Sequence, residues 1–252
     1  MRSPLAHTPL IPTLEKNGRH IGPVCILDDN SIVARIGTSY EDGHVIQIKG
    51  LSVDIVPGIK FFGRCPNRKY FAYMTPSGIS ITAGWLGEEV ALCKYPTGKE
   101  GVPAEFSLNG FDTPPSPTQL IPFPNGKRVL FVSSEGIFVL SESKAERLLP
   151  TTENMREHFE WLRKEYPEDD LNCSLDMEHG AVSPDGKWIA IGSQDSSHLI
   201  FNEELQLVGD IGNQSEYPHY TFFSDDSQVV GLNSCHFYNG MTVGVATKLL
   251  TG

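Results

Sequence analysis

Two histidines, His179 and His219, are placed to do chemistry: they stand 40 residues apart, with Asp176, Glu178 and Glu216 close to them in sequence. Imidazoles and carboxylates together can ligate a metal or pass a proton, so a metal or acid–base site is one reading of this group. The other reading is structural, with each histidine hydrogen-bonding inside its own unit of the fold. No motif favours catalysis. The chain has no GxSxG nucleophile elbow, no GxxxxGK[ST] phosphate loop and no HExxH pair, and His158 has no second histidine four residues on. No catalytic residue, metal-ligand set or cofactor is therefore assigned. Trp85 and Trp161 lie in irregular surroundings, where tryptophan can serve as an exposed binding anchor. With Phe159, His179 and His219 they form the set of candidate binding residues. Trp188, within an apolar strand, reads as core.

Charge narrows the class of partner. Asp and Glu number 31 against 20 Lys and Arg, a net charge of −11. A nucleic-acid binder carries a basic face, and no basic run longer than short ones such as Lys127–Arg128 is present. An acidic surplus attracts basic partners instead. The five cysteines are scattered, odd in number and without a CxxC pair. That pattern predicts reduced thiols in a cytoplasmic protein, not a disulfide framework or a zinc site. Residues 1–11 lack the apolar core of a signal peptide, and no run approaches the roughly 20 apolar residues of a membrane span.

The elements that must position these residues repeat along the chain. The clearest unit is Val182-Ser-Pro-Asp-Gly-Lys-Trp-Ile-Ala-Ile-Gly192, a turn followed by a short strand apolar on both faces. Copies begin at Leu27, Cys65, Pro122 and Phe222. Aligned on Asp29, Asn67, Asn125, Asp185 and Asp225, they give spacings of 38, 58, 60 and 40 residues. Two spacings sit near the roughly 40–45 residues of a four-stranded propeller blade, and the two long ones imply insertions of about 15–20 residues. Each unit is followed, behind a small-residue break, by a second strand, and often by a more polar third such as Glu204–Val208.

The segment Ser183–Ser193 resembles the blade core of WD40-like and related bacterial β-propeller proteins, although the Trp-Asp dipeptide and a regular Gly-His start are missing. The resemblance covers about 220 residues, from Gly22 to Val245. It implies an all-β fold, a single propeller domain over residues 1–252 with about five recognisable blades, and more blades if the chain is a fragment. Insertions are expected at about 95–118 and 150–178. The first is rich in Pro and Gly and reads as an extended loop. The second carries a single helix over Thr151–Tyr166, with Thr152 as cap, Glu153 in the first turn and Pro167 as terminator. Met155, Phe159, Leu162 and Tyr166 share one face of it. The fifth unit shows barely two strands, so Leu10–Leu14 or Gly22–Leu27 is expected to complete a blade unless the chain is truncated.

The resemblance also implies a use. Such propellers serve as interaction modules, so a protein partner is expected, a basic one given the charge. A neutralising, immunity-type role toward a toxic or nucleic-acid-directed bacterial protein is one version. The alternative is a metal-dependent lactonase-like hydrolase at the propeller channel, with Glu178, Asn213 and Asp225 as ligands and His179 and His219 near the same mouth.

Overall fold

The computed structural model describes residues 20–37, 43–106, 108–167, 171–172, 174–194, 198–211, 218–236 and 241–249, with backbone alone at 20–21, 218–220, 233–236 and 241–248. Its described strands form five antiparallel sheets. The first is β1 (His20–Ile26), β2 (Ile32–Gly37), β3 (His44–Lys49) and β4 (Ser52–Val56). The second is β5 (Phe62–Arg64), β6 (Tyr70–Thr75), β7 (Gly78–Ala83) and β8 (Glu89–Cys93). The third is β9 (Gln119–Pro122), β10 (Val129–Ser133), β11 (Gly136–Leu140) and β12 (Ala145–Leu149). The fourth is β13 (His179–Val182), β14 (Trp188–Gly192), β15 (Leu199–Asn202) and β16 (Leu207–Asp210). The fifth has β17 (Pro218–Phe223), β18 (Val229–His236) and β19 (Met241–Lys248). One helix, α1 (Thr152–Glu165), lies between the third and fourth sheets in sequence. No described helix is long and apolar enough to cross a membrane.

The sheets follow from one repeated turn. In each unit a backbone N–H bonds the carbonyl three residues back: Asn30 to Leu27, Arg68 to Cys65, Gly126 to Phe123, Gly186 to Ser183 and Ser227 to Ser224. Each of these donors is left-handed, with φ of 62°, 65°, 69°, 78° and 60° in turn. The residue before it is always Asp or Asn, whose Oδ1 accepts from the N–H two residues on, as at Ser31, Lys69, Lys127, Lys187 and Gln228. This is an Asx turn closing a type I hairpin turn. The fifth unit therefore turns on Asp226, not on Asp225, and the last spacing is 41 residues. The first copy looks weak because its loop is one residue shorter, closing from Leu27 to Ser31 where the others close across five, as from Ser183 to Trp188.

The contacts divide the chain into two compact units, Met1–Phe62 with Tyr73–Pro76, and Gly63–Ala72 with Ser77–Gly252. In the first, Ala34, Ile36 and Ile46 form a small core with Ile48 and Val53 packed on it. The buried Arg35 lies behind that sheet, its Nε donating to the Lys60 carbonyl at 3.2 Å and its guanidinium over the Phe61 ring. In the second, Phe123, Leu130 and Val132 of the third sheet interdigitate with Val182, Ile189 and Phe201 of the fourth. Ala190 and Ile200 continue the packing onto Val230 and Phe223 of the fifth. Face-to-face aliphatic packing of this kind is how stacked sheets bury their inner surfaces.

Three expectations are corrected here. Gly22–Leu27 does not complete the last blade, because it pairs with β2 inside the first sheet, Val24 opposite Ala34 and Ile26 opposite Ile32. Leu10–Leu14 lies outside the described residues. Among the described residues the fifth sheet has three strands, since β17 supplies an inner strand ahead of the two that were legible. The polar outer strand of the fourth sheet starts at Leu207, not Glu204, because Asn202–Leu205 is a turn held by Leu205 N–H on Asn202 O and Gln206 N–H on Asn202 Oδ1.

Candidate functional site

The two insertions meet. Arg147, on β12, ties the loop to the third sheet through its guanidinium: Nε donates to Glu100 O at 2.8 Å and Nη2 to Gly98 O at 3.0 Å in the loop, and Nη1 to Glu135 O at 2.9 Å in the turn between β10 and β11. The same group lies 4.6 Å from the Phe138 ring centroid. A guanidinium can satisfy several carbonyls at once, which lets one side chain organise a loop that has no ladder of its own. The helix grips the other side of the loop. Thr152 Oγ1 donates to Gly101 O, Arg156 pairs with Glu105 at 2.9 Å, and Phe106 meets Phe159 edge-on at 5.1 Å. Arg156 holds the Glu105 carboxyl below the usual carboxylate range by its hydrogen bond and charge.

The helix is well specified locally. Thr151, not Thr152, is its N-cap, accepting from Asn154 N–H; Thr152 is already helical and uses its hydroxyl on the loop. Glu153 sits in the first turn and Arg163 and Lys164 in the last, in accord with the helix dipole. Met155 and Phe159 are buried. Tyr166, expected on the same buried stripe, is 51% exposed, because it lies beyond the last helical turn at the C-cap and leans edge-on against Trp161. A cavity of about 280 Å³ remains between loop and helix, lined among others by Gly98, Asn109, Arg147, Met155 and Asn172. That is at the small end for a ligand pocket, and the partly buried guanidinium of Arg147 in its wall already donates to three carbonyls.

Each candidate residue can now be placed. Trp161 is 50% exposed on α1, stacked on His158 at 6.1 Å between ring centroids. Phe159 is fully buried, so it is not a surface contact; it is the staple between helix and loop. Trp85 is half-buried, edge-on to Phe71 at 5.3 Å, with Arg64 over that same ring. His179 is buried on β13, not in a loop before it, with Nδ1 3.1 Å from Met177 O. The backbone of His219 lies on β17, and its side chain lies outside the described residues. Trp188 is half-buried over the cluster joining the fourth and fifth sheets.

The described partner of His179 is one the sequence did not suggest. The His198 ring, also buried, is 5.2 Å away. Gly192 is opposite His179 in the register, and a Cβ there would come within 2.9 Å of the His198 ring and 3.0 Å of the His179 ring. The glycine ending the Trp188–Gly192 strand was the legible signal: a side chain is missing because two rings share its space.

The ligand set expected for a hydrolase does not converge. Glu178 precedes β13, whereas Asp225 belongs to the turn after β17. That turn lies beside the one that leaves β13, since Asp185 N–H donates to Ser227 Oγ at 3.1 Å. Glu178 and Asp225 thus occupy opposite ends of neighbouring inner strands. Asn213 lies outside the described residues, and no group of three His, Cys, Asp or Glu that could hold a metal occurs among the described residues. Burial, reinforced by Glu135 and Asp176 and opposed by hydrogen bonds, pushes the Glu178 carboxyl above the ordinary range.

The fold defines this chain as a β-propeller. It superimposes on the β-propeller domain of Cps50 (Swd1) from Myceliophteria thermophila with a TM-score of 0.54 at 10% identity, covering 86% of this chain and 62% of that one. Kuenenia stuttgartiensis hydrazine synthase is also similar, with a TM-score of 0.45 at 12% identity over 86% of this chain and 58% of that one. The chain therefore spans about three-fifths of the length of each. No family and no curated protein matches the sequence.

Proposed function

We propose that this chain is a protein-interaction module, a single propeller domain that holds a basic protein partner at the lobe built from its two insertions. One observation carries the reading: a loop and a helix about 50 residues apart in sequence are pinned into one body on the third sheet and still leave Trp161 and Tyr166 half exposed. A fold spends ordering entropy on such a body, and exposed aromatic rings on a rigid element are the usual anchors of an interface. The sign of the partner follows from the net charge of −11. A neutralising role toward a toxic or nucleic-acid-directed basic protein in a bacterial cytoplasm fits this reading.

The test is native mass spectrometry of the tagged protein recovered from its host at low and high salt. A stoichiometric complex with a basic protein, dissociating as salt rises, is the expected result. Recovery of the chain alone under every condition, or with an acidic partner held independently of salt, overturns it.

A further inference from the structure

Resting on that reading, we infer that the exposed face of α1 around Trp161 is a seat for an arginine or lysine side chain on an extended basic segment of the partner. The face is aromatic and open: Trp161 and Tyr166 are each about half exposed, and His158 stacks beside them. The rings brace one another, Tyr166 edge-on to Trp161 at 5.8 Å, so little side-chain freedom remains to be lost on binding. The helix supplies the matching charge. Glu157 lies one turn before Trp161 on the same face, is exposed, and forms no ion pair among the described residues. Glu165 lies one turn after it, loosely paired with Lys164 at 3.7 Å. The neighbouring cation Arg156 is already taken up by Glu105.

An indole flanked along a helix by carboxylates favours a cation over an apolar side chain: the ring face attracts the charge and the carboxylates complete the ion pair. Arginine suits the seat better than lysine, since a guanidinium can stack on the ring and still donate to a carboxylate. The same carboxylates repel a phosphate backbone.

The probe is a fluorescein-labelled octa-arginine peptide, with octa-lysine and octa-glutamate for comparison, titrated into the full chain by fluorescence anisotropy. Octa-arginine is expected to bind more tightly than octa-lysine, and octa-glutamate not at all. Trp161→Ala is expected to weaken octa-arginine binding about tenfold, and Glu157→Gln about threefold, while thermal unfolding stays unchanged for both. Trp161→Phe, which keeps a ring, should recover most of the loss. If wild type binds octa-arginine and Trp161→Ala binds it equally, the seat is wrong although a basic partner still stands. If wild type binds none of the cationic peptides, the seat falls, and the native complex then decides the broader reading separately.

Discussion

Asp226 and Asp225 are adjacent carboxylates, and only one of them shapes the chain. Asp226 Oδ1 accepts from Gln228 N–H and from Ser224 Oγ–H, bonds that hold its carboxyl below the usual range. Asp226→Ala should lower the urea unfolding midpoint, while Asp225→Ala should leave it almost unchanged. The Asp226 contribution is present above the unfolded carboxylate value near roughly 3.9 and is lost as pH falls through the lower folded value. Glu178 has the opposite sign. Its folded pKa is raised, so its ionised form opposes folding above roughly pH 4.3 and the penalty fades as pH falls. Glu178→Gln should therefore raise the melting temperature at pH 7 and leave it unchanged near pH 3. Cys65 occupies the place that Ser183 and Ser224 take in other turns, accepting from Tyr70 N–H and donating to Asn67 Oδ1. Cys65→Ser should accordingly be better tolerated than Cys65→Ala in the same unfolding assay.

Turns and insertions obey different rules at the scale of elements. The left-handed position is glycine at Gly126 and Gly186 but arginine at Arg68 and serine at Ser227. Arg68→Gly should stabilise by about 0.5 kcal/mol, since relief of left-handed strain slightly exceeds the added freedom of the unfolded chain. Ser227→Gly should not, because the Ser227 hydroxyl is buried and bonds Asp185 N–H. The insertion lobe depends on Arg147 and on the Thr151 cap. Arg147→Ala leaves three carbonyls without their donor and should open the 97–111 loop to limited proteolysis, with a loss of about 2–3 kcal/mol. Thr151→Ala should cost about 1 kcal/mol, by helix fraying alone.

For the molecule as a whole, the five described sheets share one turn chemistry, and what varies lies in the segments between them. The third and fourth sheets are fastened by their aliphatic faces, by Gly180 N–H on Gln119 Oε1 at 2.8 Å and by Arg128 Nη1 on Glu203 O at 2.8 Å. The first sheet presents another chemistry. Val24, Ile26 and Ile55 are largely exposed on one of its faces, around the Ala34–Ile46 core. Contiguous exposed aliphatic residues bind apolar dyes and promote association. Ile26→Thr with Ile55→Thr should reduce anilinonaphthalene sulfonate fluorescence and self-association at high concentration without lowering the unfolding midpoint. At the opposite pole of polarity, the net charge of −11 predicts that binding of the proposed basic partner weakens as ionic strength rises, which a salt titration of the complex checks.

The repeat, the strand that follows each turn, the class of fold, the helix between the third and fourth sheets and the sign of the net charge are legible in the order of residues alone. These are local or additive properties: an Asx residue bonds two residues ahead, a strand alternates at a period of two, and charge sums without geometry. The copies at Leu27 and Cys65 were faint and the one at Phe222 was misaligned because hydrogen bonding, not residue identity, defines the turn, and Asn30, Arg68 or Ser227 can fill a glycine's place at modest cost. Packing between distant segments sets which side chains face one another. It turned Phe159 inward and left Trp161 outward, set His198 and not Glu178 against His179, and sent Glu178 and Asp225 to opposite strand ends. The physical reason is that a helix face and a strand end acquire a partner only when a distant segment packs there. Here Arg147, a single side chain on β12, draws a loop some 47 residues upstream onto the helix that follows it.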